Sequence, residues 1–294
     1  MPSVVIAMCA AGVAAFLIGL PGAKRVFGEA RGLDKVVALR YLCFAIPLAV
    51  FGAEHLFGPD IVKAIVPPYM PGRMFWVYFV GCALIAASAS IATRTGVRWS
   101  GVLFGIMMFL FVAMIHLPGA LRVPHDRFIR AIVFRELSFG GAAWILAGQA
   151  MGERGRGGRT VITVGCVLIL MTATLFGVEH LLHPTGLPGV PLQKQMATWI
   201  PGRAVIDYLT GAALLVLAAS VLVRRRTRTI GAWVGAWLLL LILVIYGPVL
   251  ISALLTPGMG VKVEGVNYFA DTLLFAAVIL TLASAAPRAA VAGS

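Results

Sequence analysis

The chain alternates between long apolar runs and short polar connections. Each run extends over about 17 residues or more, which is the length that a helix needs to cross the hydrocarbon core of a membrane. The runs lack the strict alternation of apolar and polar positions that is typical of strands, so they predict helices. A window of about 19 residues places nine runs at 3–20, 38–57, 74–92, 99–117, 131–150, 160–182, 203–222, 230–255 and 267–286.

The composition supports membrane insertion. Hydrophobic residues make up 61% of the 294 positions and charged residues only 12%, whereas soluble domains carry about 25% charged residues. The four cysteines all lie in apolar runs and form no C-x-x-C pair, which favours helix packing over disulfide exchange. The predicted fold class is therefore an all-α polytopic membrane protein.

The net charge of +13 is explained by where Lys and Arg lie. Fifteen of these 24 residues are in the connections 21–40, 93–98, 152–159 and 224–228 and in the C-terminal tail, whereas the alternate connections hold eight. Because cytoplasmic connections are rich in Lys and Arg, we predict a bacterial inner-membrane protein with its N-terminus outside and its C-terminus in the cytoplasm. No nucleic-acid partner is expected, since the charge reports orientation.

The first run, 3–20, has two interpretations. Small residues after it resemble a cleavage site, but no positive charge precedes it and Lys24 and Arg25 follow at once. A cleaved signal peptide has a positively charged start, so a retained helix is favoured. Both interpretations leave the topology of the other eight spans unchanged.

The sequence contains an internal duplication. Residues 51–56 recur at 176–181, and 71–118 align without a gap with 201–248, where 16 of the 48 positions are identical. The second copy has five extra residues between the two aligned segments. Shared hydrophobicity does not explain the identity, because Pro, Gly, Arg and Tyr are matched one by one. The predicted organisation is an N-terminal helix and basic loop at 1–35, a first four-helix unit at 36–157 (unit one) and a second at 158–294 (unit two).

Each unit has an even number of spans, so the two units are predicted to be parallel four-helix bundles. The third helix of each unit begins with two glycines four residues apart, Gly101 and Gly105 in unit one and Gly231 and Gly235 in unit two. Such pairs let helix backbones approach closely. We expect them to pack within the bundle, with dimerisation as the alternative.

Polar side chains inside the spans are the candidate ligand-binding residues, because a charged group at the bilayer centre costs about 2.5–3.5 kcal/mol on the insertion scale. The predicted orientation places them at the outer ends of the helices, where they would share one mouth. They are Glu54, His55, Arg73, Tyr78, His116, Arg135 and Glu136 in unit one and Glu179, His180, Arg203, Asp207, Tyr208, Tyr246 and Asp271 in unit two.

Differences between the units argue against two chemistries. His116 aligns with Tyr246, so a haem held by His55 and His116 would have no equivalent in unit two. His183 aligns with Gly58, which disfavours a repeated metal site, and no metal is predicted.

Two interpretations of the polar residues remain open. In the first they neutralise one another without a ligand: Arg203 would pair with Asp207 one helical turn away, and Arg73 or Arg135 with the acids of unit one. In the second they bind the polar head of an amphiphile, and the apolar bundle takes its tail.

Several motifs of unit one resemble the DoxX-like family of four-helix membrane proteins. They are Gly52-x-x-His55, Pro59, Ile65-Val66-Pro67-Pro68-Tyr69-Met70-Pro71, the aromatic-rich second helix through Tyr78 and Gly81, and Arg135-Glu136-Leu137. The resemblance covers unit two more loosely, and the fusion of two units departs from the usual single bundle. It implies a four-helix membrane bundle. For some members it also implies a membrane redox system, such as thiosulfate oxidation coupled to quinone or detoxification of superoxide and thiols.

We therefore predict a membrane subunit of a redox system that binds a quinone or similar amphiphile, with membrane lipid and a redox protein as further partners. Glu54 and His55 would hydrogen-bond or exchange protons with the head group, a task that suits histidine near neutral pH. His116 and Glu136 would complete the pocket, and Arg73 would stabilise anionic character. Catalytic residues are not assigned. The alternative is a non-catalytic scaffold or assembly factor for a partner membrane protein.

Overall fold

The computed structural model of the protein describes residues 2–152 and 155–287. Within these residues, nine helices are long and apolar enough to cross a membrane, which confirms the predicted class of all-α polytopic membrane protein. Arg154 and Arg288, which belong to the basic connections, lie outside the described residues. The helices are α1 (Ser3–Glu29), α2 (Asp34–Phe57), α3 (Arg73–Thr93), α4 (Val97–Arg122), α5 (Arg127–Met151), α6 (Arg156–Leu182), α7 (Arg203–Leu222), α8 (Thr227–Leu255) and α9 (Met259–Ala285).

The two units are interlocked. Helices α2 to α8 each pack against the next helix along the chain, and α9 closes the ring by packing against α2. Helices α5 and α9, the last of each unit, also pack against each other. Gly140 and Gly141 of α5 let its other neighbours approach closely, because a Cβ at Gly140 would meet Phe109 of α4 and one at Gly141 would meet Gly165 of α6. Side chains of one unit therefore contact helices of the other.

The helix ends define two faces of the bundle. Helices α2, α4, α6 and α8 end, and α3, α5, α7 and α9 begin, at what we call the site face, which corresponds to the predicted outer side. The opposite end is the basic face. There Nε of Arg228, in α8, lies 2.8 Å from Oδ1 of Asp34 at the start of α2, so an ion pair joins the units at this face too.

The paired glycines pack inside the bundle. A Cβ atom at Gly101 would lie 2.6 Å from the carbonyl oxygen of Ala143 in α5, and one at Gly231 would lie 2.9 Å from Cβ of Ala283 in α9. Distances under 3.0 Å leave no room for a side chain. The expectation of packing within the bundle is confirmed at these positions.

Helices α4 and α8 each contain one π-helical turn, at aligned positions, Val112–His116 and Ile242–Tyr246. Each turn lies just before a proline, Pro118 or Pro248, and a proline cannot donate the backbone hydrogen bond that continues an α-helix. In α4, the Met114 carbonyl four residues before the proline accepts a 2.9 Å hydrogen bond from the Tyr69 hydroxyl. The turns end at His116 and at Tyr246, the pair of aligned residues that differs between the units.

Candidate functional site

A single arginine joins acidic residues from both units at the site face. The guanidinium nitrogens of Arg135 lie 3.0 Å from Oε1 of Glu136 and 2.9 Å from Oδ2 of Asp271. Both carboxyl groups are about nine-tenths buried. Glu136 aligns with Asp271 in the repeat, and Arg135 aligns with Ala270. Unit two thus has the acid without the cation, and unit one supplies the positive charge.

His116 extends this group toward α4. Its Nε2 lies 3.7 Å from Oε1 of Glu136, and 17% of its side chain is exposed. The other carboxyl oxygen of Glu136, Oε2, is buried and has no hydrogen-bond partner among the described residues. Buried polar atoms normally have a partner. An orphaned acceptor beside a partly exposed imidazole is therefore an arrangement that a ligand can complete.

Glu54 makes a second contact between the units, and its partner was missed by sequence reasoning. Its Oε1 accepts a 3.0 Å hydrogen bond from Nδ2 of Asn267 in α9. Asn267 is not ionisable and was therefore not among the predicted residues. Its signal in the sequence is an amide at the start of an apolar run. Together these residues form the central cluster: Glu54, His116, Arg135, Glu136, Asn267 and Asp271.

The central cluster has more acceptors than donors. Its one guanidinium, that of Arg135, pairs with two of its three carboxyl groups. Oδ1 of Asn267 is buried without a partner among the described residues. Buried charges are normally paired or neutralised. The cluster is thus suited to taking up a proton or a hydrogen-bond donor.

Unit two carries a buried segment that we call the plug, residues 187–192. The plug is non-helical, yet every one of its residues is buried. Backbone of this kind is tolerated at membrane depth only where protein satisfies its polar groups. Three side chains of the predicted set lie at the plug, namely His180, Asp207 and Tyr246.

His180 connects the plug to the helices. Its Nδ1 lies 3.1 Å from Oδ1 of Asp207, and its Nε2 accepts a 3.1 Å hydrogen bond from the backbone N–H of Gly189. Gly189 has a φ of +104° and fits closely, because a Cβ there would lie 3.3 Å from the methyl group of Thr272. His180 and Asp207 are almost fully buried, so the pair stabilises the plug from beneath.

Tyr246 holds the plug from the other side. Its hydroxyl donates a 2.6 Å hydrogen bond to the carbonyl oxygen of Pro188, and 1% of the residue is exposed. The π-turn of α8 ends at Tyr246. The residue that aligns with His116 therefore binds a carbonyl oxygen of the protein's own chain.

Glu179 pairs with two arginines that sequence reasoning assigned to a connection. Its carboxyl oxygens lie 2.7 Å from Nε of Arg127 and 2.6 Å from an NH group of Arg130, both at the start of α5. Nε2 of His183 lies 3.9 Å away. His180 and His183 thus contact different acidic residues, Asp207 and Glu179.

The remaining predicted residues lie apart from the central cluster. Arg73 and Arg203 donate hydrogen bonds to the loop carbonyls of Lys63 and Met196. The expected pair of Arg203 with Asp207 is not formed, because Asp207 contacts His180 instead. Of the two arginines considered for the acids of unit one, Arg135 forms the pair, with Glu136.

Three further predicted side chains contact neither the cluster nor the plug. Nδ1 of His55 donates a 2.7 Å hydrogen bond to the Phe51 carbonyl of its own helix. Tyr78 and Tyr208 are exposed on the outside of the bundle. Their aromatic rings therefore face the predicted lipid.

No family model matches this chain, and neither does any curated protein or solved structure compared with it. The class of the protein thus follows from its helices alone: it is a polytopic integral membrane protein. The resemblance of unit one to DoxX-like proteins stays a prediction.

Proposed function

We propose that unit one binds the polar head of a quinone or similar amphiphile beside His116 and Glu136. The observation that carries this proposal is the plug of unit two. There Tyr246, the residue aligned with His116, donates a hydrogen bond to a carbonyl oxygen at 2.6 Å. A backbone carbonyl in unit two thus stands at the position where unit one would receive the carbonyl group of a ligand.

Exposure of the aligned residues supports the proposal. The plug covers Ile245 and Tyr246, which are 2% and 1% exposed. The aligned residues Ile115 and His116 are half-buried. The loop of unit one is five residues shorter and lies on the surface, where the Tyr69 hydroxyl donates to the Met114 carbonyl, and 17% of the His116 side chain stays exposed.

The residues present fit a quinone head group. His116 would donate a hydrogen bond to a carbonyl oxygen, and the orphaned Oε2 of Glu136 would accept one from a hydroxyl group. Arg135 holds Glu136 in place at 3.0 Å. When bound, a quinone supplies reversible hydrogen-transfer chemistry, and the protein supplies position and protonatable groups.

The wider role that we propose is that of a membrane subunit of a redox system. A partner protein would exchange electrons with the bound head group, as the DoxX-like resemblance implies. Membrane lipid would surround the tail. The scaffold hypothesis makes the opposite prediction, namely that the purified protein carries no such amphiphile.

The test measures quinone in the purified protein. The full chain is extracted in mild detergent with its native lipid, and quinone per protein is determined by solvent extraction and absorbance. We expect retained quinone in the natural sequence and a loss of about tenfold in His116→Ala and in Glu136→Gln. His125→Ala is the matched control, because His125 is exposed in the loop between α4 and α5.

Titration with decylubiquinone tests the site in the same variants. Quenching of intrinsic tryptophan fluorescence should saturate for the natural sequence and for His125→Ala. His116→Gln, which keeps a donor, should retain more binding than His116→Ala. Equal quinone content and equal titration curves in all variants would contradict the proposal, and melting temperatures show whether each variant is folded.

A further inference from the structure

Helix α1 fills a groove on unit one. It packs along α2 and α3, and its contact face is built from small residues, among them Gly12, Gly19 and Ala23. A Cβ atom at Gly19 would lie 2.8 Å from Leu42 of α2 and 3.6 Å from Ala92 of α3. The groove therefore accepts a helix at close backbone distance, as small-residue faces do in membranes.

The aligned groove on unit two, between α6 and α7, is uncovered. Leu42 and Ala92 are 8% and 4% exposed beneath α1. Their aligned residues, Val167 and Leu222, are 47% and 70% exposed. Both members of each pair are apolar, so residue type does not explain the difference in exposure. It arises because α1 covers the groove of unit one, whereas no described helix covers that of unit two.

A cleft marks this groove near the basic face. It has a volume of about 250 Å³ and is lined mainly by apolar side chains of α6. Val221, near the end of α7, and Arg224, just beyond it, complete the lining. Arg224 aligns with Arg94 of unit one. An arginine thus lies at the basic-face end of both grooves.

In unit one, Arg94 lies beneath the covering helix α1. Its guanidinium lies 4.7 Å from the centre of the Tyr41 ring, and its Nε would be 3.7 Å from a Cβ at Gly22 of α1. Burial is the main influence on the pKa of Arg94 and lowers it; of the charged residues of α1, Arg25 lowers it further and Glu29 raises it. The helix in this groove therefore covers the arginine, whereas Arg224 is exposed.

We propose that the α6/α7 groove binds one transmembrane helix of a different membrane protein, packed as α1 packs on unit one. The partner helix has a face of small residues, as α1 has at Gly12, Gly19 and Ala23. A second copy of this chain is disfavoured, because two such grooves face to face would bring Arg224, Arg225 and Arg226 against the same residues of the copy. This inference is independent of the proposed quinone site.

The probe is a synthetic peptide with the sequence of α1, residues 3–29, with Cys9→Ala and with Gly22→Cys, a position where a Cβ would meet nothing closer than 3.7 Å. The protein is the full chain with its four native cysteines replaced by alanine and with Leu222→Cys, in nanodiscs of phosphatidylcholine and phosphatidylglycerol. Leu222 aligns with Ala92, whose carbonyl oxygen would lie 4.0 Å from a Cβ at Gly22. Under mild oxidation we expect a disulfide-linked product at about five times the yield of the control, Trp99→Cys. Trp99 is 63% exposed near the same face, on α4.

Variants of the peptide test the small-residue face. Gly12→Leu should lower the yield by about threefold, because a Cβ at Gly12 of α1 would already lie 3.1 Å from Val50 in the groove of unit one. Val13→Leu, on the exposed side of α1, should have no effect. Equal yields at Leu222→Cys and Trp99→Cys would overturn the proposal and indicate a groove filled by lipid. A yield that Gly12→Leu does not change would overturn the small-residue face.

Discussion

The segments that follow the first helix of each unit have opposite relations to the bundle. In unit one, Tyr69 is 67% exposed and the loop lies across the outside of α4, held by the Tyr69 hydroxyl at Met114. In unit two, five extra residues let the plug enter the bundle, where His180 and Tyr246 bind its backbone. The comparison shows that aligned helix ends can be covered by a buried segment of the chain, as at Tyr246, or left half-buried, as at His116.

The two units also differ in which of their buried acids have a cation of their own. Unit one carries Arg135 between two acids, whereas unit two has Ala270 at the aligned position and depends on the same arginine for Asp271. In exchange, Glu179 of unit two is paired by Arg127 and Arg130 of unit one. Unit two therefore depends on arginines of unit one to pair Asp271 and Glu179.

The largest effect is expected for Arg135→Ala. Removing the guanidinium leaves Glu136 and Asp271 buried without a cation, which we expect to lower the free energy of unfolding by about 3–5 kcal/mol. The measurement is unfolding by SDS in mixed micelles, followed by circular dichroism. Adding Glu136→Gln and Asp271→Asn should recover most of the loss. A change no larger than that of the exposed-residue control Arg122→Ala would refute the shared role of Arg135.

An intermediate effect is expected for His180→Ala. The substitution leaves Asp207 and the Gly189 N–H buried without their partner, and should lower the free energy of unfolding by about 3 kcal/mol. The aligned variant His55→Ala should cost about 1 kcal/mol or less, since that imidazole bonds only to its own helix. Similar losses in the same SDS titration would show that the two histidines do not differ as described.

The smallest effect is expected for Tyr246→Phe. It leaves the Pro188 carbonyl without its donor at an otherwise unchanged shape, and should cost about 1–3 kcal/mol. Tyr208→Phe is the control and should lie within about 0.5 kcal/mol of the natural sequence, because Tyr208 is exposed on the outside of the bundle. Cysteine labelling at Met196→Cys, beside the plug, should be faster in Tyr246→Phe. An unchanged labelling rate would argue against a plug held by this tyrosine.

The positions of the helices were predictable because hydropathy is a local property. The prediction 203–222 coincides with α7, and 74–92 differs from α3 by one residue at each end. Helix α9 begins at Met259, eight residues before the apolar run at 267. That first part carries Lys262 and Glu264, and a helix can continue past the membrane edge where a hydropathy window cannot follow it.

The contacts of the candidate site were less predictable. The repeat matched Glu136 with Asp271, but it gave no sign that Arg135 bridges them, since this requires α5 and α9 to pack together. Arg203 and Asp207 are one turn apart and suggested an ion pair, yet each is bound to another partner. Pairing depends on which side chain a neighbouring helix brings near, and spacing along one helix does not contain that information.

The sequence by itself determined the nine spans, the internal duplication and the residue types available at each helix end, because all three are read from local order. Only the tertiary structure decided that the units share their charges, that the plug of unit two is buried against Tyr246, and that α1 covers one of two equivalent grooves. These features arise between segments far apart in the chain, where packing and the need to satisfy buried polar groups select the partners.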